Sequence, residues 1–394
     1  MSQKQATAAA VMAVVVLAAI MIMAWVSGRW VLTAAPVGFL FGFFLERADL
    51  CGSSAMSEVV MMRDPRKLAG LWVAIAVSMV AFAAGSALGW IELAPKPLLW
   101  ASALVGGVVF GIGTVLAGGC VSGALFKAGQ GNLNSMAALA AIPVGVSAVA
   151  YGPLSGINKA LHRYLVSADD GGPVTLVSLS GLPYWLLAVI IAGATAAAAL
   201  WFSRRRPPAT TPSVAGEPPL AERVLTRKWK PWQAGIAIGL LALVAWLSSA
   251  ASGRNYPLGV THGVLDVGVI LTDSGYDSIV NAVPAGAPAA VHSAKHVVWW
   301  LVIEVVFLVV GAFFSARWRG SFRLLPKPPD ETLVAFLGGL LVGAGAAIAG
   351  GCVIGNILSG FALMSVGNLI FGAAVLLANW ATTYLYMMGG PDRG

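Results

Sequence analysis

The chain has three cysteines, and two of them lie in nearly identical glycine-rich segments. Residues 116–125 read LAGGCVSGAL and residues 348–357 read IAGGCVIGNI, so Cys120 and Cys352 each follow two glycines. Cys51 also lies beside a glycine, in the segment LCGSSAM. A thiol is a weak hydrogen-bond donor and acceptor, a nucleophile when ionised, and a soft metal ligand. A free cysteine is otherwise a small buried hydrophobe, but the repeated position beside glycines favours a functional role.

The paired glycines predict breaks in helices. Consecutive glycines destabilise a helix, so Gly118-Gly119 and Gly350-Gly351 each predict the end of one helix just before a thiol. A short new helix is then expected to begin near Cys120 and near Cys352. The N-terminus of such a helix presents free N–H groups and the positive end of a dipole, which suit an anion and favour a thiolate.

Further glycines match between the two segments, and helix packing is the first interpretation for those upstream of the cysteines. Glycines at three- to five-residue spacing let helix backbones approach closely in lipid. The matching positions are Gly106-Gly107 with Gly338-Gly339, Gly111 and Gly113 with Gly343 and Gly345, and Gly123 with Gly355.

Three polar residues near the apolar segments are additional candidates. Glu304 lies within apolar sequence, where a carboxylate either couples transport to protons or, when protonated, bonds a neighbouring helix. Lys127 follows Cys120 by two helical turns and would either attract an anion or extend to the membrane interface. Asn356, four residues after Cys352, is the third candidate. We expect no metal and no cofactor, since three thiols without a nearby His or Met cluster leave only Cu(I) as an option.

The composition is that of a membrane protein. Hydrophobic residues make up 58% of the 394 residues and charged residues only 10%, against about 25% charged in soluble domains. Uncharged stretches of 18 or more residues recur, each long enough to cross the hydrocarbon core as a helix, and they lack the alternation of barrel strands. The net charge of +8 forms no basic face interleaved with aromatic residues, so we expect no nucleic-acid partner. The sequence predicts an all-α polytopic membrane protein with free thiols.

Nine spans are predicted, at about 8–26, 68–90, 98–118, 133–150, 181–202, 233–250, 296–316, 333–350 and 367–387. The first is taken as a membrane helix because it is too long for a signal peptide and lacks a clear cleavage site. Shorter apolar pieces, interpreted as re-entrant or broken helices, lie at about 36–45, 52–62, 120–128, 257–272 and 353–364.

The distribution of positive charge predicts two halves of opposite orientation. Residues 1–202 form the first half, 203–232 a basic, Pro-rich cytoplasmic linker, and 233–394 the second half. The loops Arg63–Lys67, Arg204–Lys230 and Arg317–Lys327 are assigned to the cytoplasm by their positive charge. The two Gly-Gly-Cys segments then enter from opposite faces, which is an inverted-topology repeat with a site expected near the bilayer midplane. The same count puts the N-terminus outside and the C-terminus in the cytoplasm.

The two AGGC segments, Cys51 in LCGSSAM and the spacing of the glycine-rich spans resemble the YeeE/YedE family of sulfur-transport proteins, over about residues 30–387. With larger loops at 151–180 and 273–295, the chain length is closer to the YedE-like branch, which is associated with selenium metabolism. The resemblance implies an hourglass-shaped protein of the bacterial inner membrane in which thiols relay thiosulfate. The implied pathway residues are Cys51, Cys120 and Cys352, with the helix breaks at Gly118, Gly119, Gly350 and Gly351.

The resemblance also implies a small cytoplasmic partner, a TusA-like sulfurtransferase. Some family members have a fourth cysteine at the second-half counterpart of Cys51, whereas Tyr256–Val260 here contains none.

The sequence therefore favours a permease, not an enzyme, for a small sulfur-containing anion, with thiosulfate first. A selenium or other sulfur species such as selenite, sulfide or sulfite is an alternative substrate. Two other classes stay open, a membrane sulfur carrier that forms a cysteine persulfide and a purely structural subunit. The histidines all lie far from the thiols in sequence, which weakens the covalent alternative. The sequence has no GxxxxGK[ST] motif, so ATP-driven transport by this chain alone is not expected.

Overall fold

The computed structural model describes residues 3–168, 171–205, 227–273, 275–280, 296–324 and 327–389. The linker predicted at 203–232 and the loop predicted at 273–295 lie largely outside this part of the chain. Elements of the first half are α1 (Gln3–Ser27), a 3₁₀ turn (Trp30–Thr33), α2 (Ala34–Ala48), α3 (Gly52–Met61), α4 (Arg66–Ala87), β1 (Leu98–Leu99), α5 (Trp100–Leu116), α6 (Val121–Gly129), α7 (Leu133–Ala150), α8 (Ser155–Leu161), β2 (Leu165–Val166), α9 (Leu176–Ser180) and α10 (Tyr184–Arg205).

Elements of the second half follow the same order as α2–α7. They are α11 (Pro231–Ala251), α12 (Thr261–Thr272), β3 (Asp277–Ile279), β4 (His296–Val298), α13 (Trp299–Arg319), α14 (Pro329–Ile348), a π-helical turn (Val353–Leu358), α15 (Ser359–Ala362), α16 (Val366–Thr382) and a second π-helical turn (Thr383–Met388). The strands are short. β1 pairs antiparallel with β2, with Leu98 opposite Val166, and β3 pairs parallel with β4, with Asp277 opposite His296.

Nine helical segments in the described residues are long and apolar enough to cross a membrane. Eight of them match predicted spans. The remaining one, Trp30–Met61, joins two pieces that the sequence analysis assigned to short broken helices. The two pieces are α2 and α3, which are separated only at Asp49–Cys51, so they form one broken crossing. Helix α1, predicted as the first crossing, precedes this segment.

Helices of each half pack mainly on helices of the other half. Helix α2 packs on α13, and its counterpart α11 packs on α4, the counterpart of α13. In the same way α7 packs on α14, and α16 packs on α5. This reciprocal pattern is the one that two halves related by a two-fold axis produce.

Helices α5 and α14, which precede the two Gly-Gly-Cys breaks, pack against each other in opposite directions. A Cβ on Gly106 would contact Ala349, and one on Gly113 would contact Val342. As the residue number rises along α5 it falls along α14, so these corresponding helices are antiparallel. Side chains at these glycines would collide with the facing backbone, in agreement with the packing role predicted for them.

Ion pairs fix the charged residues that precede Cys51. Arg319, at the end of α13, donates to Glu46 Oε1 at 2.6 Å, and Glu46 is fully buried. Lys67, at the start of α4, donates to Asp49 at 2.7 Å. The end of α2 is therefore bound to the helices on both sides of it, which holds Cys51 in a defined position.

Candidate functional site

All three cysteines occupy the same local position, the residue immediately before a short helical segment. Each has an extended backbone, and each carbonyl accepts the first N–H bond of the turn that follows it. The donors are Ala55 N to Cys51 O at 2.9 Å, Ala124 N to Cys120 O at 2.8 Å, and Asn356 N to Cys352 O at 2.8 Å. The paired glycines correctly predicted the new turns at Cys120 and Cys352.

The first glycine of each pair makes the break possible. Gly118 has φ +66° and Gly350 has φ +65°, in the left-handed region that other residues adopt only at a cost. Helix α5 ends at Leu116 and helix α14 ends at Ile348, just before these positions. The left-handed glycine turns the chain, and the cysteine two residues later occupies the N-cap position of the next turn.

The structure brings two of the thiols together. Cys51 Sγ lies 3.8 Å from Cys120 Sγ, within the range of a sulfur hydrogen bond, and both residues are fully buried. Cys120 Sγ also lies 3.4 Å from Ser122 Oγ. Gly123 is necessary for this contact, because a Cβ there would collide with Cys51 Sγ. The two thiols, which lie immediately before α3 and α6, thus contact each other at the break of the first half.

Cys352 lies at the corresponding break of the second half and, within the described ranges, makes no thiol–thiol contact. Its neighbour Val353 packs on Gly52, where a Cβ would collide with the valine side chain. The first turns after Cys51 and Cys352 therefore touch, while the Cys352 thiol lines a separate cavity.

This cavity, here called the Lys96 cavity, has a volume of about 440 Å³. Its wall includes charged, aromatic and glycine residues and one of the three cysteines: Lys96, Arg254, Tyr256, Val260, His262, Asp266, Gly350, Gly351, Cys352 and Gly355. Lys96 Nζ donates to the Gly350 carbonyl at 2.7 Å and to Asn356 Oδ1 at 2.8 Å. Lys96 thus places a positive charge beside the Gly-Gly-Cys break.

A second cavity, here called the Lys127 cavity, lies at the other break and has a volume of about 250 Å³. Gly118, Lys127, Asn134, Lys327 and Glu331 line it. Lys127 Nζ donates to the Gly118 carbonyl at 2.7 Å. Each left-handed glycine carbonyl therefore accepts a bond from a lysine ammonium, at Gly118 from Lys127 and at Gly350 from Lys96.

Lys96 is a site residue that the sequence analysis did not identify. It lies in the loop between α4 and α5 and reaches the second half across a separation of 254 residues to Gly350. Its only signal in the sequence is a lysine two residues before the predicted span 98–118. Lys127, by contrast, was a candidate, and its ammonium lines a cavity at the break.

Asn356 and Glu304 have different surroundings. The Asn356 amide donates to the carbonyls of Ala349 and Gly351 at 3.2 and 3.1 Å, so the buried side chain fastens the break and positions Lys96. Glu304 is fully buried in α13, and in the described part of the chain neither carboxylate oxygen completes a hydrogen bond. Glu304 does not line either of the two cavities.

Val260 is the second-half counterpart of Cys51. It immediately precedes α12 as Cys51 precedes α3, and its carbonyl accepts the Val264 N–H at 3.1 Å. The valine is fully buried in the wall of the Lys96 cavity. This chain therefore has an apolar side chain, and not a fourth thiol, at the second-half position that corresponds to Cys51.

A buried polar cluster supports the first turn of α3. Ser53 Oγ donates to the Thr114 carbonyl at 3.1 Å, and Asn379 Nδ2 donates to Thr114 Oγ1 at 3.2 Å. Ser57 Oγ donates to Asn379 Oδ1 at 3.0 Å. These bonds connect α3, α5 and α16 directly behind Cys51.

Among the residues described, no group of three or more His, Cys, Asp or Glu side chains could hold a metal ion.

Comparison with known proteins places these features in a family. The family model described as "Sulphur transport" matches residues 47–381. The chain is 30% identical over 356 residues to the thiosulfate transporter TsuA of Escherichia coli, covering 90% of this chain and 94% of that protein. It is 29% identical over 362 residues to the TsuA of Spirochaeta thermophila, covering 90% and 98%. The similarity to the probable transporter YedE of Escherichia coli is 31% over 100 residues, a quarter of this chain.

The family match includes all three cysteines, both glycine breaks and both lysines that bind them. This chain is a member of the sulphur transport family.

Proposed function

We propose that the protein is a permease that carries thiosulfate, or a closely similar sulfur-containing anion, into the cell. The observation that carries the proposal is the contact between the Cys51 and Cys120 thiols at one break, together with a cavity at each break that a lysine lines. Two relatives that align over 90% of the chain are named thiosulfate transporters, which supports the choice of substrate.

The chemistry of the path suits passage better than tight binding. A thiol is a weak donor, so an anion that contacts Cys352, Cys120 and Cys51 in turn is held loosely at each point. Conduction requires sites that attract an ion without trapping it. The lysine at each break supplies the attraction, and the buried thiols provide the weak contacts between them.

The proposed orientation follows the positive charge of the loops. Arg63, Lys67, Arg319 and Lys327 lie at the ends of spans on one side, which we assign to the cytoplasm. The Lys127 cavity, which Lys327 also lines, then opens inward, and the Lys96 cavity opens outward. The antiparallel contact of α5 and α14 supports two halves inverted across the bacterial inner membrane. In this orientation Trp30–Met61 begins outside and the C-terminus is cytoplasmic.

A competition experiment tests the substrate. In sulfur-starved cells without other uptake routes, expression of the chain is expected to give uptake of labelled thiosulfate. Unlabelled thiosulfate should compete more strongly than selenite, sulfide or sulfite. If selenite competed more strongly, selenite and not thiosulfate would be the preferred substrate. Absence of uptake would contradict the permease proposal.

The persulfide carrier makes a different prediction. A thiolate that attacked the outer sulfur of thiosulfate would keep that sulfur and release sulfite. Mass spectrometry of the purified protein after exposure to thiosulfate would then show one added sulfur atom on a cysteine. The permease proposal predicts unmodified cysteines. Binding of a TusA-like sulfurtransferase on the cytoplasmic side stays a prediction. Co-purification of such a protein with this chain would test it.

A further inference from the structure

A third cavity, here called the Trp72 cavity, lies between helices of the two halves and has a volume of about 580 Å³. Leu68 and Trp72 of α4 form part of its wall, as do Phe361 of α15 and Leu376 of α16. The described wall contains none of the three cysteines and neither of the lysines that bind the helix breaks. The cavity is therefore separate from the thiols of the proposed path.

The wall of the Trp72 cavity is apolar. Among its 13 described residues, the indole of Trp72 is the one polar group in a side chain, and its N–H already donates to Thr195 Oγ1 of α10 at 3.0 Å. A buried water molecule needs about two to four polar partners, so this space suits hydrocarbon better than water. Its volume is within the range of about 300–1,000 Å³ that bound small molecules occupy.

A difference between the two repeats accounts for the space. The ninth residue after the first Gly-Gly-Cys is Gly129, and a Cβ there would meet the Val309 carbonyl oxygen at 2.8 Å, so α6 lies directly against α13. The ninth residue after the second Gly-Gly-Cys is Phe361, whose ring packs over Gly372 of α16 and lines the cavity. The large side chain holds α15 away from α4, the counterpart of α13, and leaves the cavity between them.

The cavity opens sideways, toward the lipid. Trp72 is 41% exposed, and Ala69 and Ala373 in the same wall are also exposed. Pro65, just before α4, and Ile75 within it both line the cavity, and the ten residues between them span about 15 Å along the helix axis. The hydrocarbon core is about 30 Å thick, so the cavity has the depth of one leaflet. An acyl chain from that leaflet has the reach to fill it.

The end of the cavity at Pro65 adjoins a basic loop. Arg66 and Lys67 pair with carboxylates of neighbouring residues, but Arg63 is exposed and makes no ion pair with any carboxylate that the structure describes. Basic residues beside a membrane span attract the anionic lipids of the cytoplasmic leaflet, the side to which this loop is assigned above. The unpaired charge and the apolar wall together fit a lipid with an anionic headgroup.

We propose that the Trp72 cavity binds an acyl chain of an anionic phospholipid whose headgroup lies at Arg63. The bound chain packs against the turns that follow two of the thiols, because Met56 and Ile357, each five residues after Cys51 or Cys352, both line the cavity. The site does not depend on which anion the protein carries.

Photo-crosslinking from an acyl chain tests the site. The full-length protein is reconstituted into phosphatidylcholine vesicles that contain a trace of a diazirine-bearing lipid, either phosphatidylglycerol or phosphatidylcholine. Peptide mass spectrometry should find Met56, Ile357 and Phe361 labelled about fivefold more by the phosphatidylglycerol probe, the effect of one basic residue on an anionic lipid. Val189 and Ile190 of α10 are exposed, and as contacts of bulk lipid they should take up the two probes equally.

Two variants and a control complete the test. Arg63→Asn removes the charge, and asparagine tolerates the left-handed backbone of this residue, φ +53°, so the two probes should then label the wall equally. Arg323→Asn neutralises an exposed arginine of another basic loop and should leave the preference unchanged. Ala373→Trp fills the opening and should lower labelling of the wall by the phosphatidylglycerol probe at least about tenfold.

The results that overturn the site are equally specific. Equal labelling of the wall by the two probes in the wild-type protein does so, as does a preference that persists in Arg63→Asn or labelling that is unchanged in Ala373→Trp. Absence of label from Ile357 and Phe361 also overturns it, and is the result expected if a second copy of the chain or a retained apolar molecule such as a quinone fills the cavity.

Discussion

The sulfur atoms of Cys51 and Cys120 lie 3.8 Å apart, although the residues come from different helices. Each cysteine immediately precedes a short helix, and Gly123 leaves the space that the contact needs. An anion that travels along the thiols must therefore separate or replace this sulfur contact.

Oxidation should close the path at this pair. A disulfide is about 2.05 Å long, so a shift of roughly 2 Å joins the two sulfurs. Copper phenanthroline is expected to form the Cys51–Cys120 disulfide and abolish uptake, and dithiothreitol should restore it. Cys352→Ser should still form the disulfide, as peptide mapping would show. Failure of the two cysteines to cross-link, while both stay reduced and labelled separately, would contradict the contact.

Gly123 and Gly355 should differ sharply on substitution although they are counterparts. Gly123→Ala puts a methyl group into Cys51 Sγ, and overpacking of this kind typically costs about 1–3 kcal/mol. Gly355→Ala meets no atom within 4 Å. Thermal unfolding in detergent should show a clear drop in melting temperature only for Gly123→Ala. Equal drops in the two variants would show that Cys51 does not fill the space in front of Gly123.

Gly118→Ala should impair uptake by more than its effect on stability explains. A left-handed alanine costs about 1–2 kcal/mol, and no atom lies near enough to add a clash. Gly89 is the matched control, since it has φ +71°, also has open space and lies in the loop after α4. Both variants should lose the same stability, but only Gly118→Ala should misdirect Cys120. If Gly89→Ala lost as much uptake, the effect would be one of general stability.

Thiosulfate in the Lys96 cavity should slow the alkylation of Cys352 by iodoacetamide, and this protection should weaken as the pH rises through about 8. Burial, and then the positive charge of Arg254, lower the pKa of Lys96 to about 8. Above that pH the lysine is neutral and no longer attracts an anion. The other titratable groups in the cavity wall are Tyr151, Arg254, Tyr256, His262, Asp266, His296 and Cys352.

Lys96→Arg is the control for this pH dependence, because arginine stays charged throughout the range. The variant should keep its protection between pH 7 and pH 9, measured as the half-protecting thiosulfate concentration. The same loss of protection in Lys96→Arg would assign the titration to another group, since only the pKa of residue 96 has been changed.

The helix breaks could be predicted because their cause is local. Glycine lowers helix stability and readily adopts a positive φ, so Gly118 and Gly350 were identifiable from the sequence as positions where a helix can end. The pairs Gly106-Gly107 and Gly338-Gly339 nevertheless lie within α5 and α14, so glycine pairs alone do not specify a break. Most membrane spans could likewise be predicted from the hydropathy of the sequence. The Trp30–Met61 crossing was not recognised, because α2 and α3 are each too short to cross and only their arrangement makes them one segment.

The contacts of the site could not be predicted, because they join residues far apart in the chain. Nothing local indicates that Cys51 meets Cys120 and not Cys352, or that Lys96 reaches Gly350. Asn356 was a candidate for the pathway, yet its amide binds the carbonyls of the break. The role of Glu304, a proton carrier or a structural acid, stays a prediction.

Passage along the thiols can be measured as uptake of radiolabelled thiosulfate into proteoliposomes, where the purified chain is the only protein present. Vesicles with the wild-type protein should fill faster than protein-free vesicles. Cys120→Ala, which removes the thiol in contact with Cys51, should reduce the rate to that of protein-free vesicles while the variant keeps its melting temperature. Wild-type rates in a folded Cys120→Ala variant would contradict passage along the thiols.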